Sequence, residues 1–215
     1  YLFYFMKYNN IVPDILTTSK SFGGGKSSVS AYISSDEVFE KAYGTENDAF
    51  LHSTTYNGFG EECATAIESI NIILEEKLVD RANILGDFLK KELINLSKKH
   101  PNQISNTLGE GLLQGMILKT NFKYIEKVVS NIPLKFIKDK KSLFAKLPYI
   151  ALIDHLYLEY KILTHITPNY EILLVSPSLI VKKEEIQFFI KCLNKALEKG
   201  LNAIIVEFTI RYLRN

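Results

Sequence analysis

The chain has 215 residues, 47% of them hydrophobic and 23% charged, with a formal net charge of +2, the balance of a globular protein with a core rather than of a disordered tract. So small a charge, with lysines scattered among glutamates, excludes an extended nucleic-acid-binding face, and no apolar run reaches the roughly 20 residues that a membrane span needs. The cysteines Cys63 and Cys192 have neither CxxC spacing nor a His pair nearby, so no metal site and no disulfide framework is expected; both read as small buried hydrophobes, in a usage that suits the reducing cytosol.

Tyr1–Met6 is short and lacks a basic leader, so it is not read as a signal peptide; the first residue is Tyr rather than Met, which points to residues upstream. Ile15 and Leu16, after Pro13, read as a short buried strand that Gly23–Gly25 ends. Val29–Ile33 is a second strand candidate. Ser35-Asp36-Glu37 opens a helix over Val38–Ala42, and 44–52 reads as loop. Ala64, Ile67, Ile70 and Leu74 place an inward stripe on a helix over Glu61–Glu76. Leu78, Ala82, Leu85, Leu89, Leu93 and Leu96 continue that spacing, with a bend near Lys77 and a stop at His100-Pro101-Asn102.

Beyond the stop the character changes. Gly111–Leu118 reads as a strand opened by glycine, 122–130 and 147–163 as helices, and Ile172–Val175 as a strand. Lys182–Lys199 is an amphipathic helix with Ile186, Phe189, Ile190, Leu193 and Leu197 inward. Leu201–Leu213 is apolar and fits strand or helix equally. The boundary drawn from these patterns separates 1–77 from 78–200 and leaves 201–215 as an unplaced tail.

Two motifs carry chemistry. Pro13-Asp14-Ile15-Leu16-Thr17-Thr18-Ser19-Lys20-Ser21-Phe22-Gly23-Gly24-Gly25 is an apolar run ending in one lysine beside three glycines. Backbone without Cβ lets the chain pass closely by a site at such a lysine. Phe50-Leu51-His52-Ser53-Thr54-Thr55-Tyr56-Asn57-Gly58 is a hydroxyl-rich segment. A competing pattern, Gly25-Lys26-Ser27, ends like a phosphate-binding loop of nucleotide hydrolases. That loop needs a glycine five positions before Gly25, where this chain has Lys20, so nucleotide hydrolysis is not the reading.

Together the two motifs resemble the cofactor-lysine and phosphate-threonine segments of class III aminotransferases, the ornithine, putrescine and acetylornithine type. The resemblance runs from about residue 10 to about residue 199 and covers the second half of a family member. It implies the α/β fold of pyridoxal-phosphate-dependent transferases (aspartate-aminotransferase-like, fold type I), with residues 1–77 as part of the large domain and 78–200 as a small α+β C-terminal domain. It implies pyridoxal 5′-phosphate as cofactor, with Lys20 as Schiff-base lysine and proton carrier. Thr55 would bind the phosphate of the neighbouring subunit in a homodimer, with Thr54 as the weaker candidate; His52 is given a structural role, and no metal is implied. The activity implied is transamination between an amine or ω-amino acid and a 2-oxo acid, in the cytoplasm and away from membrane and nucleic acid. The family's carboxylate for the pyridine nitrogen, its stacking aromatic and its glycine-hydroxyl phosphate turn match positions upstream of Tyr1. Two family arginines are also replaced: Leu108 precedes Gly109, and Leu173–Leu179 contains none. The alternative is a non-catalytic remnant or association domain of the same family.

Overall fold

The computed structural model describes residues 11–48, 50–119, 121–129, 140–167 and 170–212; readings of 1–10 and 131–139 lie outside them. The chain divides into two compact units between Val79 and Asp80.

In the first unit, β1 (Ile15–Thr18) runs antiparallel to β2 (Ala31–Ser34), with Ile15 opposite Ser34 and Thr18 opposite Ala31. A 3₁₀ turn over Lys20–Gly23 joins them through Gly24 and Gly25, both at positive φ (63° and 75°). Helix α1 (Asp36–Tyr43) starts where Ser35 Oγ accepts the Val38 N–H at 3.4 Å, with Asp36 and Glu37 complementing the dipole in its first turn. Helix α2 (Gly60–Glu75) ends before Lys77, whose φ of 52° breaks the helical run at the bend that the sequence places there.

The sequence reads β1 as a buried strand; its residues are instead alternately exposed and half-buried, because no third strand among the described residues pairs with either edge. The stripe on α2 is likewise uncovered: Ile67 is 61% exposed and Leu74 56%, and in place of the expected set Ala66 is the buried residue of that helix. Cys63, expected inside, is exposed; Cys192 is buried. Among the described residues, Ala66 and Leu78 are the first unit's whole share of the buried apolar set. A two-stranded sheet with so little burial is marginal by itself.

The second unit builds a complete core. Helix α3 (Leu78–Lys99) leads into a four-stranded antiparallel sheet of order β3-β4-β6-β5, from Ile104–Glu110, Leu113–Leu118, Leu173–Val175 and His165–Ile166 respectively. Helices α4 (Phe122–Val129), α5 (Lys140–Tyr160), α6 (Lys183–Lys199) and α7 (Leu201–Tyr212) complete the order. Leu89 and Leu93 of α3, Met116 of β4, Leu152 and Leu156 of α5, Leu173 of β6 and Leu193 of α6 have no exposed surface and share one apolar cluster.

Strands β3 and β5 were not read from the sequence. β3 (ISNTLGE) is mostly exposed and carries residues of low strand propensity, so period-2 burial leaves no trace in it. The unplaced tail is helical over Leu201–Tyr212, with Leu201, Ile204, Ile205 and Thr209 buried. Gln103 joins α6 to α7: its Nε2 donates to the Leu197 carbonyl at 2.7 Å and its Oε1 accepts the Leu201 N–H at 2.8 Å, on either side of Gly200. Groups orphaned at two helix ends are thus satisfied by one side chain.

His155 of α5 is buried and meets the Tyr160 ring edge-on, with centroids 6.2 Å apart. Burial, then the Lys199 charge, pushes its pKa below the ordinary 6.5; Glu159 and Glu207 oppose this, and Arg211 adds to it. A histidine depressed in the folded state binds fewer protons there than in the unfolded chain. Above 6.5 it is neutral in both states and costs nothing. As the pH falls below 6.5 the second unit loses stability, until the pH is below the folded value too. Urea midpoints at about pH 7.5 and about pH 5 should therefore differ, and His155→Gln should shrink that difference; an unchanged slope would remove His155 as its source.

Candidate functional site

Strand β1 delivers Lys20 two residues beyond its end, at the head of the 3₁₀ turn. Lys20 has φ 63°, in the left-handed region that side chains with a Cβ rarely adopt. Lys77 and Lys161 share that hand, but each directly follows a helix end, where a left-handed residue is ordinary. Lys20 instead follows a strand, where a non-glycine residue at positive φ is uncommon. Its side chain is exposed, and its amine has no hydrogen bond or ion pair among the described residues.

The glycines differ in what they do. A Cβ on Gly23 would stand 2.8 Å from Ser27 Oγ, so this position needs glycine for the tight turn. A Cβ on Gly24 would reach Ser69 of α2 at 3.3 Å, the close approach by which the turn rests on that helix. Gly25 has nothing within 4 Å, open space beside the backbone.

Ser19 and Phe22, flanking Lys20, line a concavity of about 1470 Å³ within the first unit, together with Thr17, Tyr32, His52 and Thr54. The structure thus brings Thr54 to the same concavity as the neighbours of Lys20. Lys20 itself and Thr55 do not line it, and Thr55 is exposed on the turn over 55–58. Glu62 Oε2, on the lining of this concavity, is buried with no hydrogen-bond partner among the described residues.

Sequence reasoning missed a cluster on the same wall. The His52 ring packs edge-on against Tyr32 of β2, with centroids 5.5 Å apart and planes at 90°. The Tyr32 and Tyr43 hydroxyls are hydrogen-bonded at 3.3 Å. That bond first, then burial and the Tyr32 charge, raises the Tyr43 phenol above its ordinary value of 10.0. The only signal available in the sequence was the outward position of Tyr32 on β2.

The donor set fits part of a pyridoxal phosphate site. An unpaired lysine amine suits the cofactor aldehyde, and the Thr54 and Thr55 hydroxyls suit its phosphate.

In the second unit, Leu108, Gly115, Leu174 and His165 pair in one row across β3, β4, β6 and β5. A Cβ on Gly115 would meet Ile172 Cγ2 at 2.6 Å and Leu108 Cγ at 3.8 Å. Apolar side chains therefore close over Gly115, and at the row's centre the face carries no cation.

The class-III aminotransferase family model matches residues 2–197. An aminotransferase of Bacillus anthracis is 27% identical with a TM-score of 0.71, over 91% of this chain and 40% of that one. A transaminase from the marine bacterium Virgibacillus is 20% identical with a TM-score of 0.71, over 92% and 41%. The acetylornithine aminotransferase of Elizabethkingia anophelis is 22% identical with a TM-score of 0.66, over 90% and 41%. This chain thus spans about two-fifths of the length of the solved structures that it matches.

Proposed function

This chain belongs to the class III aminotransferase family, and we propose that it is the lysine-bearing part of an enzyme that moves an amino group from an amine or ω-amino acid to a 2-oxo acid. Members of this family use pyridoxal 5′-phosphate, and the fold is part of their α/β fold. The observation that carries the reading is Lys20: a free amine held at positive φ where the motif places the cofactor lysine.

When bound, the cofactor supplies an electron-accepting ring that stabilises negative charge on the carbon bearing the amino group. The residues of this chain do the rest. Lys20 Nζ is the amine that would hold the cofactor and would be displaced by the amine of the substrate. Once free, it takes the proton from the substrate carbon and returns it at the other end of the transferring system. The Thr55 hydroxyl, with Thr54 as second candidate, donates to the phosphate of the neighbouring subunit in a homodimer. The replacement of the two family arginines, with Leu108 before Gly109 and none over Leu173–Leu179, supports a donor with no carboxylate at that end, such as a diamine. The free thiols of Cys63 and Cys192 suit the cytosol.

Treatment with pyridoxal phosphate and borohydride, followed by peptide mass spectrometry, tests this. The cofactor mass should be fixed on Lys20 and lost almost completely in Lys20→Ala. The uncovered face of the first unit favours a second reading, a non-catalytic association domain. A label spread over surface lysines, or none at all, would establish that reading in place of the enzyme.

A further inference from the structure

The loop over 44–59 carries both phosphate candidates, yet none of its described residues is buried. Most of its contacts are internal. Thr45 Oγ1 donates to Asp48 Oδ2 at 2.6 Å, the Leu51 N–H to the Asp48 carbonyl at 3.0 Å, and the Asn57 N–H to the Thr54 carbonyl at 3.1 Å. The Tyr56 and Phe59 rings meet at 6.0 Å. Apart from the backbone bonds at its two helix ends, the ring contact that joins the loop to the scaffold among the described residues is His52 against Tyr32. Tyr32 is itself held at both ends, in the β1–β2 ladder through its pairing with Thr17 and on α1 through the Tyr43 hydroxyl.

We propose that Tyr32 and His52 are positioning residues for the phosphate-binding turn: their edge-to-face contact sets where the Thr54 and Thr55 hydroxyls stand. This rests on the reading of those threonines as phosphate donors. Only Ser53 lies between His52 and Thr54, and only Ser53 and Thr54 lie between His52 and Thr55, so little slack remains once the ring is fixed. Without the ring the turn samples many placements, and phosphate binding then has to select one of them. Tyr43 acts one step further out, by fixing the Tyr32 ring.

Dissociation constants for pyridoxal phosphate and for pyridoxal, which lacks the phosphate, provide the test. A ring pair of this kind is worth about 2- to 10-fold in an equilibrium. His52→Ala and Tyr32→Ala should weaken pyridoxal phosphate by up to about 10-fold and leave pyridoxal unchanged. His52→Phe, which keeps a ring for Tyr32, should bind both as the wild type does. The proposal is overturned if the alanine variants keep wild-type affinity for pyridoxal phosphate. It also fails if they lose both ligands equally, since that is general unfolding rather than loss of a placed turn. If the wild type itself fails to prefer the phosphorylated ligand, the phosphate reading of Thr54 and Thr55 falls, and the positioning role with it.

Discussion

Gly86→Ala is expected to destabilise the second unit by about 3 kcal/mol, at the upper end of overpacking costs. Helix propensity alone predicts the opposite, since alanine is favoured over glycine inside a helix by about 1 kcal/mol. Gly86 lies within α3, and a Cβ there would stand 2.3 Å from the Gly111 carbonyl carbon and 2.4 Å from its Cα and its oxygen. These are backbone atoms, so no rotamer change can make room. Gly111 is moreover the turn of the β3–β4 hairpin, at φ 54°, between the paired residues Glu110 and Leu113. Gln114 Nε2 donates to the Gly111 carbonyl at 2.7 Å from a nearly sealed position. Moving the hairpin away strains that bond and uncovers Leu112, which is 6% exposed. At roughly 2–4 °C per kcal/mol for a chain of this size, the thermal midpoint should fall by about 6–12 °C. Gly60→Ala, with nothing within 4 Å, is the control and should leave that midpoint in place. A Gly86→Ala protein as stable as the wild type would mean that α3 and the hairpin do not touch as described.

The second large effect is a contrast within one molecule. Backbone amides of β1 and β2 should exchange with solvent at least about a thousandfold faster than those of β4 and β6, the ratio expected when one segment opens freely and another only with global unfolding. The cause is burial. β4 lies between β3 and β6, with Met116 and Leu118 sealed beneath it, whereas among the described residues β1 and β2 pair only with each other, and Ile15 and Ile33 remain more than half exposed. Hydrogen-exchange mass spectrometry on the 215-residue chain measures both at once. Slow exchange over Ile15–Thr18, matching that of Leu113–Leu118, would sink the claim that the first unit lacks a core of its own.

The same contrast governs what could be read from the sequence. Helix α6 was legible because its apolar spacing matches the faces that are buried: Ile186, Ile190, Leu193 and Leu197 are all inside. The stripe on α2 has the same spacing and is uncovered, because periodicity records that a helix has a face to bury and says nothing of where the covering element comes from. Leu201–Tyr212 was undecided because an apolar run satisfies both periods; packing on α5, with Arg211 and Tyr212 bound to Asp154 at 2.9 and 3.0 Å, settles it as helix. The extent of α5 was hidden in part by Pro148, which lies inside that helix and reads locally as a boundary. At the candidate site, the sequence offers the lysine and threonine motifs by residue type and order alone. The Tyr32–His52 contact was not, because two rings from separate elements meet only once the loop over 44–59 is placed.

The missing core of the first unit also has a consequence for synthesis. Within this stretch the first unit is translated ahead of the 136 residues from Asp80 to Asn215, which hold the core of the second. At about 5–20 residues per second, the ribosome presents Ile15, Ile33, Phe50, Tyr56 and Ile67 in the open for on the order of ten seconds before the second unit has been made. These are the features that holdase chaperones bind: exposed aliphatic and aromatic side chains beside strand edges that are unpaired among the described residues. The yield of the protein in a cell should therefore follow chaperone supply more closely than it follows the stability of the folded second unit.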